Sequence, residues 1–332
     1  MVDRPFPLST FPFSLLAAAA LLGALAAGEV GAQEYPSRTI RVIIPYPPSG
    51  PTDIHARVVA QELSKAWGQP VVVENRPGAA GMIGTEVAAR APADGYTLCT
   101  AGVTFSTSEL LTKMSFSPTR ELAPVALLGA VPNILVVHPS LPVRSVKELV
   151  ALAKSRPKSL FFPTGGPGGV QSLAGAYFEH LSGAKLVEVQ YKGSIPGITA
   201  LVSGEVSVGF TDLMTTLPQV DAGKLKLLAV TSLKRSPMIP KTPTVAESGL
   251  PGFNVTAWFG LVTRTGTPRP VIDKLNREIL RVLQIPEARS RITNLGSEPG
   301  TLSPAEFGEF IGAESRKWAK VIETGGLRDT QP

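Results

Sequence analysis

The sequence predicts an α/β protein built as two lobes. Three observations carry this. Strand-patterned and helix-patterned segments alternate for most of the 332 residues. The length exceeds what a single core normally organises. Two strand-to-helix junctions of similar make-up lie far apart in the chain, at 45–57 and 160–173.

The chain opens with Arg4, an uncharged apolar run over 13–27, and Val30-Gly31-Ala32. This is the layout of a secretory signal peptide over 1–32, with small Ala32 before the cut. A retained anchor is the alternative, but the run is short of the ~20 residues that cross a bilayer. Export to the periplasm is therefore expected. Removing 1–32 takes Arg4, Asp3 and Glu29 from 32 basic and 26 acidic side chains, leaving 31 and 24, a net charge of +7. A basic exported chain suits anionic small molecules. Its charges are dispersed, with no Lys/Arg run interleaved with aromatics, so nucleic acid is not an expected partner.

The first element of the mature chain is a β-branched strand over 39–44. It runs into Pro45-Tyr-Pro-Pro-Ser-Gly-Pro-Thr-Asp-Ile-His-Ala-Arg57 and then into a helix expected over 53–67. Four prolines stiffen the crossing, Gly50 lets the backbone approach a neighbour closely, and Thr52 or Asp53 can cap the helix. First-turn amides have no partner within a helix and sit at the positive end of its dipole. The junction is thus either a stiff corner or an anion cradle.

Strands follow over 71–74 and 97–101, with a helix over 82–90 between them. Cys99, the single cysteine, lies inside Tyr96-Thr-Leu-Cys-Thr-Ala101, so no internal disulfide can form and a core position is expected. Further strands are expected over 134–137, 160–162, 186–190, 206–210 and 225–231, alternating with helices over 145–155, 170–181, 195–204 and 217–222. Strand-helix-strand order of this kind argues for parallel-rich sheets covered by helices, with ligands beyond the carboxyl ends of strands. Segments near 128–132 and 255–261 are candidates to join the lobes. The chain ends in two amphipathic helices over 270–283 and 304–321, the second started by Ser303, Pro304 and Glu306.

The second junction, Leu160-Phe-Phe-Pro-Thr-Gly-Gly-Pro-Gly-Gly-Val-Gln-Ser-Leu173, leaves backbone amides uncovered at a helix start but lacks the Lys-Ser/Thr ending of a P-loop. A carboxylate held between two helix N-termini from opposing lobes would use both junctions. Three other turns follow strands: Gly102 to Thr107 with its hydroxyls, Tyr191-Lys-Gly-Ser194, and Phe210-Thr-Asp212. Each reads as turn chemistry or as a ligand contact. Trp258 and Phe259 read as core or hinge packing. Of the three histidines, His55, His138 and His180, none has metal-ligand spacing, no G-x-S-x-G elbow is present, and Cys99 lacks a Cys-x-x-Cys partner. No metal, cofactor or catalytic residue is expected. His55 is close enough to the first turn to reach a ligand, though a solvated or packed histidine is the better reading.

With those residues in hand, the sequence resembles the substrate-binding receptors of tripartite tricarboxylate transporters, the Bug family of periplasmic solute-binding proteins. The resemblance rests on PYPPSGPTDIHAR at 45–57, VENRPGAAGMIGTEVAARAPADGYTL at 73–98, VQYKGSIPGITALVSGEVSVGFTD at 189–212 and LLAVTSLKRSPMIPKTPTVAESGLPGFNVTAWFGL at 227–261. It implies a type II-like periplasmic-binding fold, each lobe a mixed sheet flanked by helices. One lobe would comprise 33–130 with 257–332, the other 131–256. It also implies a non-catalytic monomer that takes a mono- or dicarboxylate into the cleft and delivers it to membrane permease subunits. A sensory co-receptor for a membrane kinase, or an enzyme on the same scaffold, are the alternatives. Family members hold the carboxylate through loops equivalent to 46–53 and 164–169. The residues expected to bind are Tyr46, Pro48, Ser49, Gly50, Thr52, Asp53, Thr104, Thr164, Gly168, Gly169, Lys192 and Asp212. Two departures stand out. Ser49-Gly50 replaces a common Gly-Gly, and Gly169 with Ser172-Leu173 replaces a common Ser/Thr followed by His-Leu.

Overall fold

A computed structural model describes residues 34–166 and 168–325, so the expected signal peptide lies outside the described residues. From Arg38 onward the chain forms one compact unit. Its elements begin with β1 (Ile40–Ile44), α1 (Pro51–Trp67), β2 (Val71–Asn75), α2 (Met82–Ala89), β3 (Thr97–Ala101), α3 (Val103–Leu111), α4 (Pro118–Glu121) and β4 (Leu122–Val137). They continue with α5 (Val146–Ser155), β5 (Phe161–Thr164), α6 (Val170–Ser182), β6 (Val187–Gln190), α7 (Ser194–Ser203), β7 (Val208–Asp212), α8 (Leu213–Asp221) and β8 (Lys226–Val230). The last are β9 (Thr256–Arg264), α9 (Arg269–Val282), α10 (Pro286–Thr293), β10 (Glu298–Pro299) and α11 (Pro304–Gly325).

The main sheet runs in the order β2, β1, β3, β9, β4, β10. The β1 pairings to β2 and β3 are parallel, whereas β3 with β9, β9 with β4 and β4 with β10 are antiparallel. The parallel-rich expectation is corrected here: the large sheet is mixed, because the segments expected to join the lobes are long antiparallel strands inside it. Residues 122–132 of β4 run against β9, and residues 133–137 then run against β7 and β8. A single strand therefore serves both halves of the molecule. Strands β5 and β6 form a parallel pair, and the N–H of Ser207 ties β5 to the approach of β7 by donating to the Phe161 carbonyl at 3.0 Å.

The change of partners is fixed at Thr231, which is fully buried. Its N–H donates to the Asn133 carbonyl at 2.9 Å, its hydroxyl donates to the Val255 carbonyl at 2.6 Å, and its own carbonyl accepts the Val255 N–H at 2.8 Å. Both crossing segments are thus tied to one residue. The apolar core continues across this point. Trp258 meets Phe307 and Phe310 edge-on, and Phe253 stacks on Tyr177 and Phe210. Helix α11 packs on α3, α6 and β4 and so spans the two halves. It begins with the expected capping box: Ser303 N–H donates to Glu306 Oε2 at 2.8 Å, and Glu306 N–H to Ser303 Oγ at 3.3 Å.

Several boundaries differ from expectation for local reasons. Helix α1 starts at Pro51 rather than Asp53, since a proline at the first helical position forfeits no bond. The hydroxyl-rich segment 102–107, expected as a turn, opens helix α3. Helix α8 begins at Leu213 rather than 217 and carries Pro218 inside it. The short helices α4 and α10 were not anticipated; each is too brief to show a period.

Candidate functional site

The site is built from the two junctions and the helix that lies between them. At the first junction Gly50 is the N-cap of α1, with φ −79° and open space where a Cβ would stand. The positive φ falls instead on Ser49, at 72°. The left-handed residue of the turn is therefore the serine rather than Gly50, and it bears a steric cost that glycine avoids. Side-chain capping by Thr52 or Asp53 is also corrected, since no side chain caps α1. Thr52 is half-buried in the first turn, and Pro48 is exposed on the bend.

Asp53 is buried and fully engaged. Its Oδ2 accepts the Ser49 N–H at 3.1 Å and Arg57 Nε at 2.8 Å, and its Oδ1 accepts Asn75 Nδ2 at 2.9 Å. Burial pushes its pKa up, but the bonds from Arg57, Asn75 and Ser49 outweigh that and hold it below the usual carboxylate range. Asn75 Nδ2 also reaches the Tyr46 carbonyl at 3.0 Å. This carboxylate holds the turn ahead of α1 in shape.

Tyr46 is half-buried, and its hydroxyl is hydrogen-bonded to Thr104 Oγ1. Burial pushes the phenol pKa up, against the lowering effect of that bond, so it stays a neutral donor or acceptor. Thr104 is the second residue of α3. At the other end of this helix, Leu111 meets the second junction: a Cβ on Gly168 would stand 2.5 Å from Leu111 Cδ1, and Gly168 has φ +76°. Glycine is required there twice over. One helix therefore touches both junctions.

Gly169 is the N-cap of α6, with φ −70°. Thr164 is buried, its hydroxyl donating to Glu188 Oε1 at 2.7 Å and accepting the Gly166 N–H at 3.1 Å. Ser172 Oγ donates to the other oxygen of Glu188 at 2.8 Å. The hydroxyl proton of Thr164 is thus committed within the protein, and a resident carboxylate sits beside the first turn of α6.

Asp212 is half-buried as the N-cap of α8. Burial pushes its pKa up, opposed by a bond from the Ser194 hydroxyl. Thr164, Gly165, Ser194 and Thr211 share a small cavity of about 10 Å³, room for a single water. Lys192 is exposed on the turn after β6 and is not drawn to the others. The structure therefore joins Tyr46 with Thr104, Ser49 with Asp53, and Thr104 with Gly168 along α3, while Pro48 and Lys192 stand apart.

Three groups central to this arrangement were not anticipated: Arg57, Asn75 and Glu188. Asn75 and Glu188 act through pairings remote from their own motifs, which no local pattern reveals, whereas Arg57 pairs with Asp53 at i,i+4 on α1. His55 proves to be packed rather than ligand-facing. It is buried, stacks on Phe259 with centroids 4.5 Å apart, donates from Nδ1 to the Pro51 carbonyl at 2.7 Å and accepts the Ser297 hydroxyl at Nε2 at 2.9 Å. Burial lowers its pKa to about 4, against the Pro51 bond. Cys99 lies in the core as expected, with burial pushing its thiol up to about 12. Among the described residues, no cluster of His, Cys, Asp and Glu is placed to hold a metal ion, and no helix is long and apolar enough to cross a membrane.

The sequence profile of the tripartite tricarboxylate transporter family receptor, TctC, matches residues 55–327. Protein BugT of Bordetella pertussis is 37% identical over 308 residues, covering 91% of this chain and 94% of BugT. Among solved structures, R. palustris Rpa4515 with adipate superposes with a TM-score of 0.76 at 34% identity, covering 88% of this chain and 99% of that one. MatC from Rhodopseudomonas palustris with bound malate superposes with a TM-score of 0.73 at 31% identity, covering 87% and 100%.

Proposed function

The chain belongs to the tripartite tricarboxylate transporter receptor family, and we propose that it captures a small organic carboxylate between two lobes and delivers it to the membrane permease of such a system. It is a binding receptor rather than an enzyme, as the family is. The observation that carries the binding mode is the placement of α3. Its Thr104 meets Tyr46 of the first junction and its Leu111 meets Gly168 of the second. A carboxylate there would face the first-turn amides of α1 and α6, the positive ends of two helices. Relatives solved with adipate and malate support this class of ligand.

The lobes in this reading are 33–130 with 257–332, and 131–256, hinged where β4 changes partners after Pro132 and where Val255 meets Thr231. A ligand that touches both halves has differential affinity for the closed form, which is what drives closure. The mature receptor begins after residue 32, works in the periplasm, and acts as a monomer. Gly50, Thr52 and Gly168 contribute backbone amides, since the Ser49 N–H is given to Asp53 and the Gly169 N–H to the Gly166 carbonyl; Ser49 and Gly169 shape the two turns, and Tyr46 and Thr104 line the ligand. Asp53 and Thr164 act indirectly, by holding the two turns in shape.

A thermal-shift screen of the mature protein against a carboxylate panel tests the function. A ligand at about 100 times its Kd adds ~2.7 kcal/mol to the folded state. Response to a sugar or a cation, with every carboxylate silent, would overturn the reading.

A further inference from the structure

We propose that the preferred ligand is a monocarboxylate with an apolar body, the size of a ring or a medium-length alkyl chain, rather than a short polar diacid. This rests on the carboxylate reading above. A cavity of about 480 Å³ adjoins the junctions, sharing Thr104 with the Tyr46 pair and Gly168 with the second turn. A carboxylate held between the turns therefore directs the rest of its molecule into this space. Sites of roughly 300–1,000 Å³ enclose ligands much larger than a four-carbon acid.

The walls set the chemistry. Met82 and Ile83 of α2 line the cavity together with Leu111, Met114 and Phe116. Ile83 is 52% exposed, a large aliphatic side chain left in water at the mouth of a cavity. An apolar ligand body covers it, and the two methionines adapt to the body's shape. Of the two charged residues that line the cavity, Glu86 is already paired with Arg90 and Lys113 is exposed to water. A second carboxylate would gain a solvated cation at most while losing its own hydration against an apolar wall, so the cavity does not reward a diacid.

The backbone of the wall adds an independent sign. Ala79 and Ala80 both line the cavity with positive φ, 46° and 52°. Consecutive left-handed alanines are costly and persist where the surroundings enforce a particular surface. Here two alanines stand in the cavity wall at angles that glycine would adopt without cost.

Calorimetric titration of the purified protein tests the proposal, with octanoate and cyclohexanecarboxylate set against malate and adipate. The apolar acids are expected to bind at least tenfold tighter, with a more negative heat-capacity change. Met114→Glu is expected to cut the octanoate-to-malate affinity ratio tenfold or more. Ile83→Glu, at a half-exposed position that folding tolerates, does the same should the first variant fail to fold. Malate or adipate binding as tightly as octanoate, or a ratio unchanged in the variants, overturns the apolar preference and leaves the carboxylate reading standing. Binding of no carboxylate at all overturns both.

Discussion

The buried carboxylate of Asp53 accepts the backbone N–H of Ser49 at 3.1 Å, and Ser49 is held at φ 72°. The pair explains how a serine occupies a left-handed position in the turn. The strain at residue 49 is offset by a charge-assisted bond from residue 53, itself secured by Arg57 and Asn75.

Replacing Ser49 with glycine keeps the donated N–H and removes the steric cost. Ser49→Gly is expected to leave stability unchanged or raise it by up to about 1 kcal/mol, the gain being limited by the added freedom of the unfolded chain. Ser49→Val should lose about 1–2 kcal/mol, because a β-branched residue is worse placed at positive φ. Urea unfolding of the three proteins checks both signs.

Asp53→Ala removes three accepted hydrogen bonds from a buried site and is expected to cost about 2–3 kcal/mol. The carboxyl pKa is depressed in the folded state. The stability it contributes is therefore present above its ordinary value and is lost as pH falls through the folded value. As pH falls below the ordinary carboxylate value of about 4, the wild type should lose more stability than Asp53→Asn does. Parallel acid titrations of unfolding free energy measure the difference.

His55 gives a second acid-sensitive term in a separate window. Its folded pKa is lowered to about 4 from an ordinary 6.5. The unfolded chain takes up the proton first, so stability falls as pH drops from about 6.5 to 4, by roughly 3 kcal/mol in total. His55→Gln should flatten the curve in that window by one proton. An unchanged slope would mean the imidazole is not held neutral by its burial against Phe259 and Ser297.

These two residues also show how far the sequence could be read. Alternation of strands and helices, the two Gly- and Pro-rich junctions, and the core positions of Cys99 and Trp258 were all legible, because each depends on local pattern. The helical state of 103–111 was not, since its run of hydroxyls and a phenylalanine carries no clear period. Nor was the role of Asp53, which has the right side chain for a cap. Whether it caps or instead reaches back to Ser49 depends on Asn75, 22 residues away on the next strand. Glu188 was invisible for the same reason: its partners Thr164 and Ser172 come from a different strand and helix.

Glu188 places a carboxylate beside the helix end expected to receive an anion. Glu188→Gln keeps an acceptor for one hydroxyl and removes the charge. It is expected to tighten adipate binding by about fivefold, roughly 1 kcal/mol, with the effect shrinking at high salt. Calorimetry at two ionic strengths distinguishes this electrostatic gain from a change in shape.

The most direct test of the two-junction clamp is a crystal structure of the mature protein with a bound carboxylic acid. The account predicts a ligand carboxylate within about 2.7–3.2 Å of backbone N–H groups from both the 49–53 turn and the 168–170 turn. A carboxylate bound to only one turn, or held by a cationic side chain away from both helix starts, would contradict it.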